Sequence, residues 1–202
     1  MLNFLINLDY TIFFQINSVL THSVLDRFFF WITDLHKMTY FKIIIIPLVA
    51  FLFIKKHKRE GFSFFLILIL AMGINDFIGA KVKSAFARNR PEFNLKLNAE
   101  ITVNKRSEAG HYSFYSNHAS NIFTFATYTS QFIPQIKIPL YAVATLVAYS
   151  RVYNGVHYPS DVFAGGLVGY LWGLLASAIS KKLLSFVKVR QLKARQLKKE
   201  SQ

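Results

Sequence analysis

Residues 150–161, Ser-Arg-Val-Tyr-Asn-Gly-Val-His-Tyr-Pro-Ser-Asp, place several reactive side chains between two apolar runs. His157 and Asp161 are four residues apart, a spacing that puts two side chains on one face of a helix. A carboxylate there can hold one imidazole nitrogen as N–H and leave the other to act as a nucleophile. Arg151 adds a planar cation suited to bidentate binding of a phosphate group.

Two earlier segments carry polar residues that suit the same chemistry. Residues 115–118, Tyr-Ser-Asn-His, predict a helix N-terminus capped by Ser116, whose free amides at Asn117 and His118 would bind an anion. His118, in the first turn, could give a proton to a departing oxygen. Further upstream, Lys83 and Arg90 supply two more cations that could stabilise a charged phosphate.

Together these three segments suit phosphoryl transfer without a metal. Either histidine alone would more often be a packed or interfacial residue, so the hypothesis depends on all three segments. A metal site built from the two histidines and Asp161 is the alternative, but the cations of a phosphate pocket would repel a metal ion. The chain has no cysteine, which excludes thiolate ligands and disulfides.

The elements that position these segments are predicted to be membrane-spanning helices. Of 202 residues, 53% are hydrophobic and 21 are phenylalanine, which is too apolar for a typical soluble domain. A span needs roughly 20 apolar residues. The runs that approach this length are 38–54, 61–80, 136–149 and 161–180, and residues 118–133, rich in Thr and Ser, predict an inner helix of the bundle.

The two ends of the chain are interpreted separately. Residues 1–20 predict an interfacial amphipathic helix, followed by a short span over 21–34. Residues 1–186 would form one membrane-embedded domain that carries the three reactive segments. Residues 187–202 would form a basic cytoplasmic tail.

The formal net charge of +14 would suggest nucleic-acid binding in a soluble protein. Here the basic clusters at 55–59 and 181–199 directly follow apolar runs, so the positive-inside rule places both in the cytoplasm. Counting spans back from the tail puts all three reactive segments on the opposite face. The cations of the loop over 81–115 conflict with that rule, so either the topology is inverted or these cations have a function there.

The three segments resemble the signatures of a known family. Lys83 to Pro91 fits Lys-x6-Arg-Pro, residues 115–118 resemble Pro-Ser-Gly-His, and residues 150–161 fit Ser-Arg-x5-His-x3-Asp. In this order they resemble the type 2 phosphatidic acid phosphatase superfamily, which shares a helical core with vanadium haloperoxidases. Tyr115 stands in place of Pro and Asn117 in place of Gly, which puts the geometry of substrate binding in doubt more than the reaction.

The resemblance implies an all-α polytopic membrane bundle of about six transmembrane helices and a lipid phosphatase that needs neither metal nor other cofactor. It implies that His157 attacks phosphorus to form a phosphohistidine, that Asp161 orients it and that His118 protonates the leaving group. The residues expected to hold the phosphate are Lys83, Arg90, Ser116, Asn117 and Arg151.

The expected partners are a lipid phosphate and the bilayer, and not nucleic acid. Undecaprenyl diphosphate or lipid A is the favoured substrate, at the periplasmic face of a bacterial inner membrane. Phosphatidylglycerophosphate and phosphatidic acid remain alternatives. An alternative function is that of a catalytically silent protein with the same fold that binds or transports lipid.

The roles of three further sequence features depend on how the helices pack. Gly165, Gly169 and Gly173 recur every four residues and predict a packing stripe for another helix. Asn75 and Asp76 are interpreted as structural partners rather than substrate contacts. Two interpretations of the loop cations carry equal weight: they attract an anionic headgroup, or they are simply solvated. These cations are Arg88, Lys105 and Arg106.

Overall fold

The computed structural model describes residues 2–33, 38–94 and 110–200, and these residues form a helical bundle. Their only β pairing is an isolated antiparallel bridge between Asn89 and Tyr112. The all-α prediction is therefore confirmed. The described residues contain six α-helices, namely α1 (Leu2–Phe14), α2 (Ser23–Ile32), α3 (Ile46–Phe86), α4 (Asn117–Ser130), α5 (Lys137–Tyr153) and α6 (Pro159–Glu200).

Helix α3 is a hairpin of two arms rather than one straight rod. Its backbone leaves the helical region at Lys58, where φ is 52° and ψ is −122°. The rings of Phe53 and Phe64 are 5.1 Å apart after the turn. A Cβ at Gly61 would lie 2.9 Å from the Cα of Ile54, so the close return of the chain requires glycine there. The two predicted runs 38–54 and 61–80 thus form neighbouring arms joined through the basic cluster.

Within the described residues, two helical stretches are long and apolar enough to cross a membrane, namely Lys42–Phe86 and Pro159–Arg190. Helix α5 has 17 residues. Helix α6 continues to Glu200, so the predicted basic tail extends the last helix rather than forming a separate element.

Helix α4 lies at the centre of the bundle, in contact with α3, α5 and α6. Its buried side chains are mostly small or hydroxylic, including Ser120, Thr124 and Thr127. The hydroxyl of Thr124 donates to the carbonyl of Ser120 one turn earlier at 2.8 Å, which satisfies this polar group inside the helix. The prediction of an inner helix is confirmed.

The glycine stripe of α6 is the surface on which α4 packs. A Cβ at Gly165 or Gly169 would overlap the backbone of Ser116 or Ser120 respectively. One at Gly173 would lie 2.7 Å from the Cβ of Thr127. These close approaches confirm that the stripe is a packing surface.

The larger of two hydrophobic clusters in the described residues lies at the other end of the bundle from the reactive segments. Phe64, Leu68 and Ala71 of α3 pack there against Tyr128 of α4 and Ala176 of α6. The hydroxyl of Tyr128 donates to the carbonyl of Phe64 at 3.1 Å, so the core contains a satisfied polar group. This packing fixes α3, α4 and α6 relative to one another.

Helices α1 and α2 dock on the junction between α5 and α6. Buried Asn17 donates through its side chain to the carbonyl of Tyr153 at 2.8 Å. The hydroxyl of Tyr153 in turn donates to Asp26 at 2.7 Å. Helix α1 exposes Phe4, Leu5 and other apolar side chains on its outer side. Its location at the membrane interface stays a prediction.

Candidate active site

The bundle brings the three reactive segments together at one end. Helices α3 and α5 end there, and helices α4 and α6 begin there. After α3, the chain runs extended past Asn89 and pairs with residues 111–113, through Arg90 N to His111 O at 2.9 Å and Ser113 N to Arg88 O at 2.8 Å. Alternate residues of an extended segment point to one side, so Arg88 and Arg90 both reach the site.

His157 is enclosed between Arg90 and Asp161. Its Nε2 lies 3.0 Å from Nη1 of Arg90, and its Nδ1 lies 3.5 Å from Oδ2 of Asp161. Only 1% of His157 and none of Asp161 is exposed. Since a guanidinium can only donate, Nε2 accepts and the ring proton belongs on Nδ1, facing the carboxylate.

The charges around His157 are predominantly positive. Burial, and then the charges of Arg90, Arg151, Lys83 and His118, lower the pKa of His157 well below its ordinary value of 6.5. The four groups come from α3, the segment after it, α5 and α4. The free site therefore favours a neutral imidazole and an anionic ligand.

The carboxylate of Asp161 is fixed on both of its oxygens. Oδ2 accepts from the backbone N–H of Tyr158 at 2.9 Å, which caps the start of α6. Oδ1 accepts from Nη1 of Arg88 at 2.8 Å. The backbone carbonyl of Asp161 accepts from Ser116 N at 3.0 Å, so α6 also holds the start of α4.

Helix α4 begins at the site as predicted from the sequence. Ser116 caps it, with Oγ accepting from Ala119 N at 3.5 Å. The first N–H groups of a helix have no partner within it, so this end favours an anion. The partly exposed side chain of His118 lies in the first turn.

The side chain of Asn117 is directed toward α3 rather than into the phosphate site. It donates to Oδ1 of Asp76 at 3.1 Å and lies against Gly79. Asn75 donates to Asn121 of α4 at 2.6 Å, and Asn121 donates to Asp76 at 2.9 Å. Asn75 and Asp76 thus pair with α4, as expected. Phosphate binding by Asn117 would use its backbone N–H.

Arg151 reaches the site from the last turn of α5. Its Nη1 donates to the hydroxyl of Thr33 at 2.7 Å, and only 6% of the residue is exposed. Thr33 is itself fully buried at the end of α2. Lys83, one turn before the end of α3, remains partly exposed.

Sequence patterns did not assign Asp9, Thr33 or Arg88 to the site. The only sequence signal that could have assigned Arg88 to the site is its position inside the Lys-x6-Arg-Pro segment. Its guanidinium contacts Asp161 and therefore is not simply a solvated loop cation. The other loop cations, Lys96, Lys105 and Arg106, lie outside the described residues.

Comparison with known proteins identifies the family. Residues 63–185 match the PAP2 superfamily, which is more than half of the chain. The chain belongs to the PAP2 superfamily. The resemblance of its three motifs to this family is thereby confirmed.

Other PAP2 proteins that the chain resembles are phosphatases. A lipid A 4'-phosphatase of Porphyromonas gingivalis is 30% identical over 85% of this chain and 72% of its own length. An undecaprenyl-diphosphatase of Sulfolobus acidocaldarius is 35% identical over 61% of this chain and 57% of its own length. These similarities bear out the prediction of a PAP2 lipid phosphatase.

A solved PAP2 structure has the same fold. The crystal structure of a transmembrane PAP2 type phosphatidylglycerolphosphate phosphatase from Bacillus subtilis aligns with a TM-score of 0.69 at 22% identity. The alignment covers 89% of this chain and 88% of that one. This likeness shows a shared fold, and the two apolar stretches of the described residues are long enough to cross a membrane.

Proposed function

We propose that this protein removes a phosphate from a membrane lipid by transferring it first to His157 and then to water. The observation that carries the proposal is the position of His157, buried with its Nε2 at 3.0 Å from Arg90 and its Nδ1 toward Asp161. A neutral imidazole with one fixed proton and one accepting nitrogen is a competent nucleophile.

In the first step, Nε2 of His157 attacks phosphorus, forming a P–N bond as the P–O bond to the lipid breaks. His118 gives a proton to the leaving oxygen. The negative charge on the phosphoryl oxygens is stabilised by Lys83, Arg90 and Arg151, together with the N-terminus of α4.

In the second step, His118 accepts a proton from water as the water oxygen attacks phosphorus. The P–N bond breaks, inorganic phosphate forms and Nε2 of His157 regains its lone pair. Asp161 faces Nδ1 throughout and stabilises the positive charge that the ring carries as phosphohistidine.

A phosphate of lipid A is the substrate best supported for this chain. The similarity to a lipid A 4'-phosphatase extends over 85% of the chain, whereas that to an undecaprenyl-diphosphatase extends over 61%. Undecaprenyl diphosphate is the second candidate, supported by the higher identity of 35% over the shorter match.

The reaction would take place at the periplasmic face of a bacterial inner membrane, with the basic end of α6 in the cytoplasm. The charge at 55–59 and 181–199 supports this orientation. Because the chain has no cysteine, single cysteines introduced at Lys105 and Lys56 can be labelled separately in whole cells. A membrane-impermeant thiol reagent should label the first and spare the second; the reverse pattern contradicts the orientation.

The proposed function is tested by phosphate release from purified protein in detergent with EDTA present. Lipid A, undecaprenyl diphosphate, phosphatidylglycerophosphate and phosphatidic acid would each be supplied. Lipid A should give the highest kcat/KM, and His157→Ala should abolish release from every substrate. Binding of these lipids by the wild type without any release would favour a silent lipid-binding protein and overturn the proposal.

A further inference from the structure

Arg88 bridges two buried carboxylates that come from opposite ends of the chain. Its Nη1 donates to Oδ1 of Asp161 at 2.8 Å, and its Nη2 donates to Oδ2 of Asp9 at 2.6 Å. Asp9 lies in α1, outside the stretch 63–185 that matches the family. This contact connects the N-terminal helix directly to the carboxylate behind His157.

The surroundings of Arg88 hold the guanidinium in one orientation. It lies over the ring of Tyr158, with Cζ 4.0 Å from the ring centroid, and Nη1 also donates to Oγ of Ser160 at 2.7 Å. Burial alone would lower the pKa of Arg88, but the carboxylates of Asp161 and Asp9 outweigh burial and raise it. Arg88 is therefore a fixed cation.

Asp9 is fixed as firmly as its partner. Its Oδ1 accepts from the backbone N–H of Ser160 at 2.8 Å, and its Oδ2 accepts from the Ser160 hydroxyl at 2.6 Å. Only 8% of Asp9 is exposed. Tyr10 and Phe13 of the same helix pack on Tyr158, with ring centroids 5.4 and 5.5 Å apart. Helix α1 thus contacts Tyr158 and Ser160, which lie one and three residues after His157.

The net charge of Asp161, Arg88 and Asp9 determines how strongly this group stabilises a positively charged His157. Arg88 alone would neutralise Asp161 and leave little negative charge to stabilise a positive imidazole. With Asp9 included, the three side chains carry a net charge of minus one. The other charges that face His157, from α3, the segment after it, α5 and α4, are the cations Lys83, Arg90, Arg151 and His118.

We propose that Asp9, through the Arg88 guanidinium that both carboxylates share, positions Asp161 and offsets the Arg88 cation, so that the three side chains keep a net negative charge near His157. Asp9 and Arg88 are positioning residues in this arrangement, because neither contacts the imidazole directly. The inference rests on the proposed reaction at His157. It assigns α1 a role in the chemistry in addition to its packing.

The test compares Asp9→Asn with Asp26→Asn in the purified full chain. Asp26 is a matched control, since it also joins the N-terminal segment to the bundle but does so through Tyr153 of α5. By analogy with residues that orient metal ligands, Asp9→Asn should lower kcat about ten-fold with KM little changed. Asp26→Asn should retain wild-type kcat.

A pH profile separates positioning from a merely structural role. Loss of the negative charge on Asp9 disfavours the protonated imidazole, so the acid limb of kcat/KM should move to lower pH in Asp9→Asn. Damage to packing would lower the whole profile without moving it. Since the substrate is the same for both proteins, its own ionisation does not contribute to the difference.

A double-mutant cycle tests the path through Arg88. In an Arg88→Met background, Asp9→Asn should cause no further loss of kcat. If Asp9→Asn does not fold, Arg88→Lys provides the second variant, because one ammonium cannot hold both carboxylates in the same way, and its kcat should fall about ten-fold.

The inference is overturned if Asp9→Asn, or Arg88→Lys in its place, retains wild-type kcat. It is also overturned if Asp9→Asn lowers kcat by the same factor with Arg88 present and absent. A third contrary result is an acid limb of the kcat/KM profile that does not move in Asp9→Asn. In each case an active wild type and an inactive His157→Ala leave the proposed function intact. Failure of the proposed function itself is recognised separately, by a wild type that releases no phosphate.

Discussion

Nη1 of Arg90 lies 3.0 Å from Nε2 of His157, so a predicted phosphate-binding cation contacts the nitrogen that would attack phosphorus. The same Nη1 donates to the carbonyl of Val156 at 2.9 Å, and Nε donates to the carbonyl of Gly110 at 2.8 Å. The backbone thereby holds the guanidinium in place. Before substrate binds, Arg90 can fix Nε2 of His157 as the nitrogen that accepts a hydrogen bond. Once substrate is bound, Arg90 can stabilise the phosphoryl oxygens.

Arg90→Lys should therefore lower kcat/KM although the charge is retained. An ammonium cannot reproduce the planar set of donors that reaches Val156, Gly110 and His157 together. Loss of one fixed donor at a developing oxyanion costs about 100-fold in rate, and we expect a loss of that size. Steady-state phosphate release measures it, and an unchanged kcat/KM contradicts the assignment.

The imidazole of His157 should remain neutral as the pH falls through 6.5. Burial and the nearby cations, Arg90 first among them, lower the pKa of His157 well below that ordinary value. The protonated form is thus disfavoured in the free enzyme. The measurement is a pH titration of ¹⁵N-histidine signals in phosphate-free detergent solution, with the His157 signal assigned by its loss in His157→Gln. A His157 signal that titrates at or above pH 6.5 would contradict this prediction.

The catalytic motifs could be predicted from the sequence because their geometry is local. His157 and Asp161 are one helical turn apart, and Ser116 begins a helix in any fold that continues the apolar pattern after it. Hydropathy likewise predicted the apolar runs 38–54 and 61–80 on either side of the basic cluster. Order and spacing then identified the family.

The contributions of the first 33 residues could not be predicted in this way. Asp9 and Thr33 contact Arg88 and Arg151, which lie 79 and 118 residues further along the chain. In the sequence these polar residues only interrupt an apolar pattern. Their function depends on tertiary packing, and neither hydrophobic periodicity nor a motif records such a contact.

Thr33→Val should weaken phosphate binding because Arg151 loses a fixed hydrogen-bond acceptor. Hydrogen bonds to charged groups contribute about 1.5 kcal/mol or more, which corresponds to roughly ten-fold in affinity. The inhibition constant for inorganic phosphate should rise by that factor. Thr33→Ser keeps the hydroxyl and is the control, so equal inhibition constants for the two variants contradict this role.

Gly169→Ala should destabilise the contact between α4 and α6. Its Cβ would overlap the backbone of Ser120, which cannot move without shifting α4. Overpacking of this kind costs about 1–3 kcal/mol. Gly73→Ala is the matched control, since a Cβ there meets no atom within 4 Å among the described residues. Thermal unfolding in detergent should show a lower midpoint for Gly169→Ala alone, and equal midpoints for both variants would refute the packing role.

The most direct test of the account is to trap the phosphorylated enzyme. Substrate labelled in its phosphate would be mixed with the protein, quenched within milliseconds under alkaline denaturing conditions that preserve phosphohistidine, and digested for mass spectrometry. We predict phosphate on His157, and no labelled protein from His157→Ala. Phosphate on another residue, or full turnover by His157→Ala, contradicts the assignment of His157 as the nucleophile.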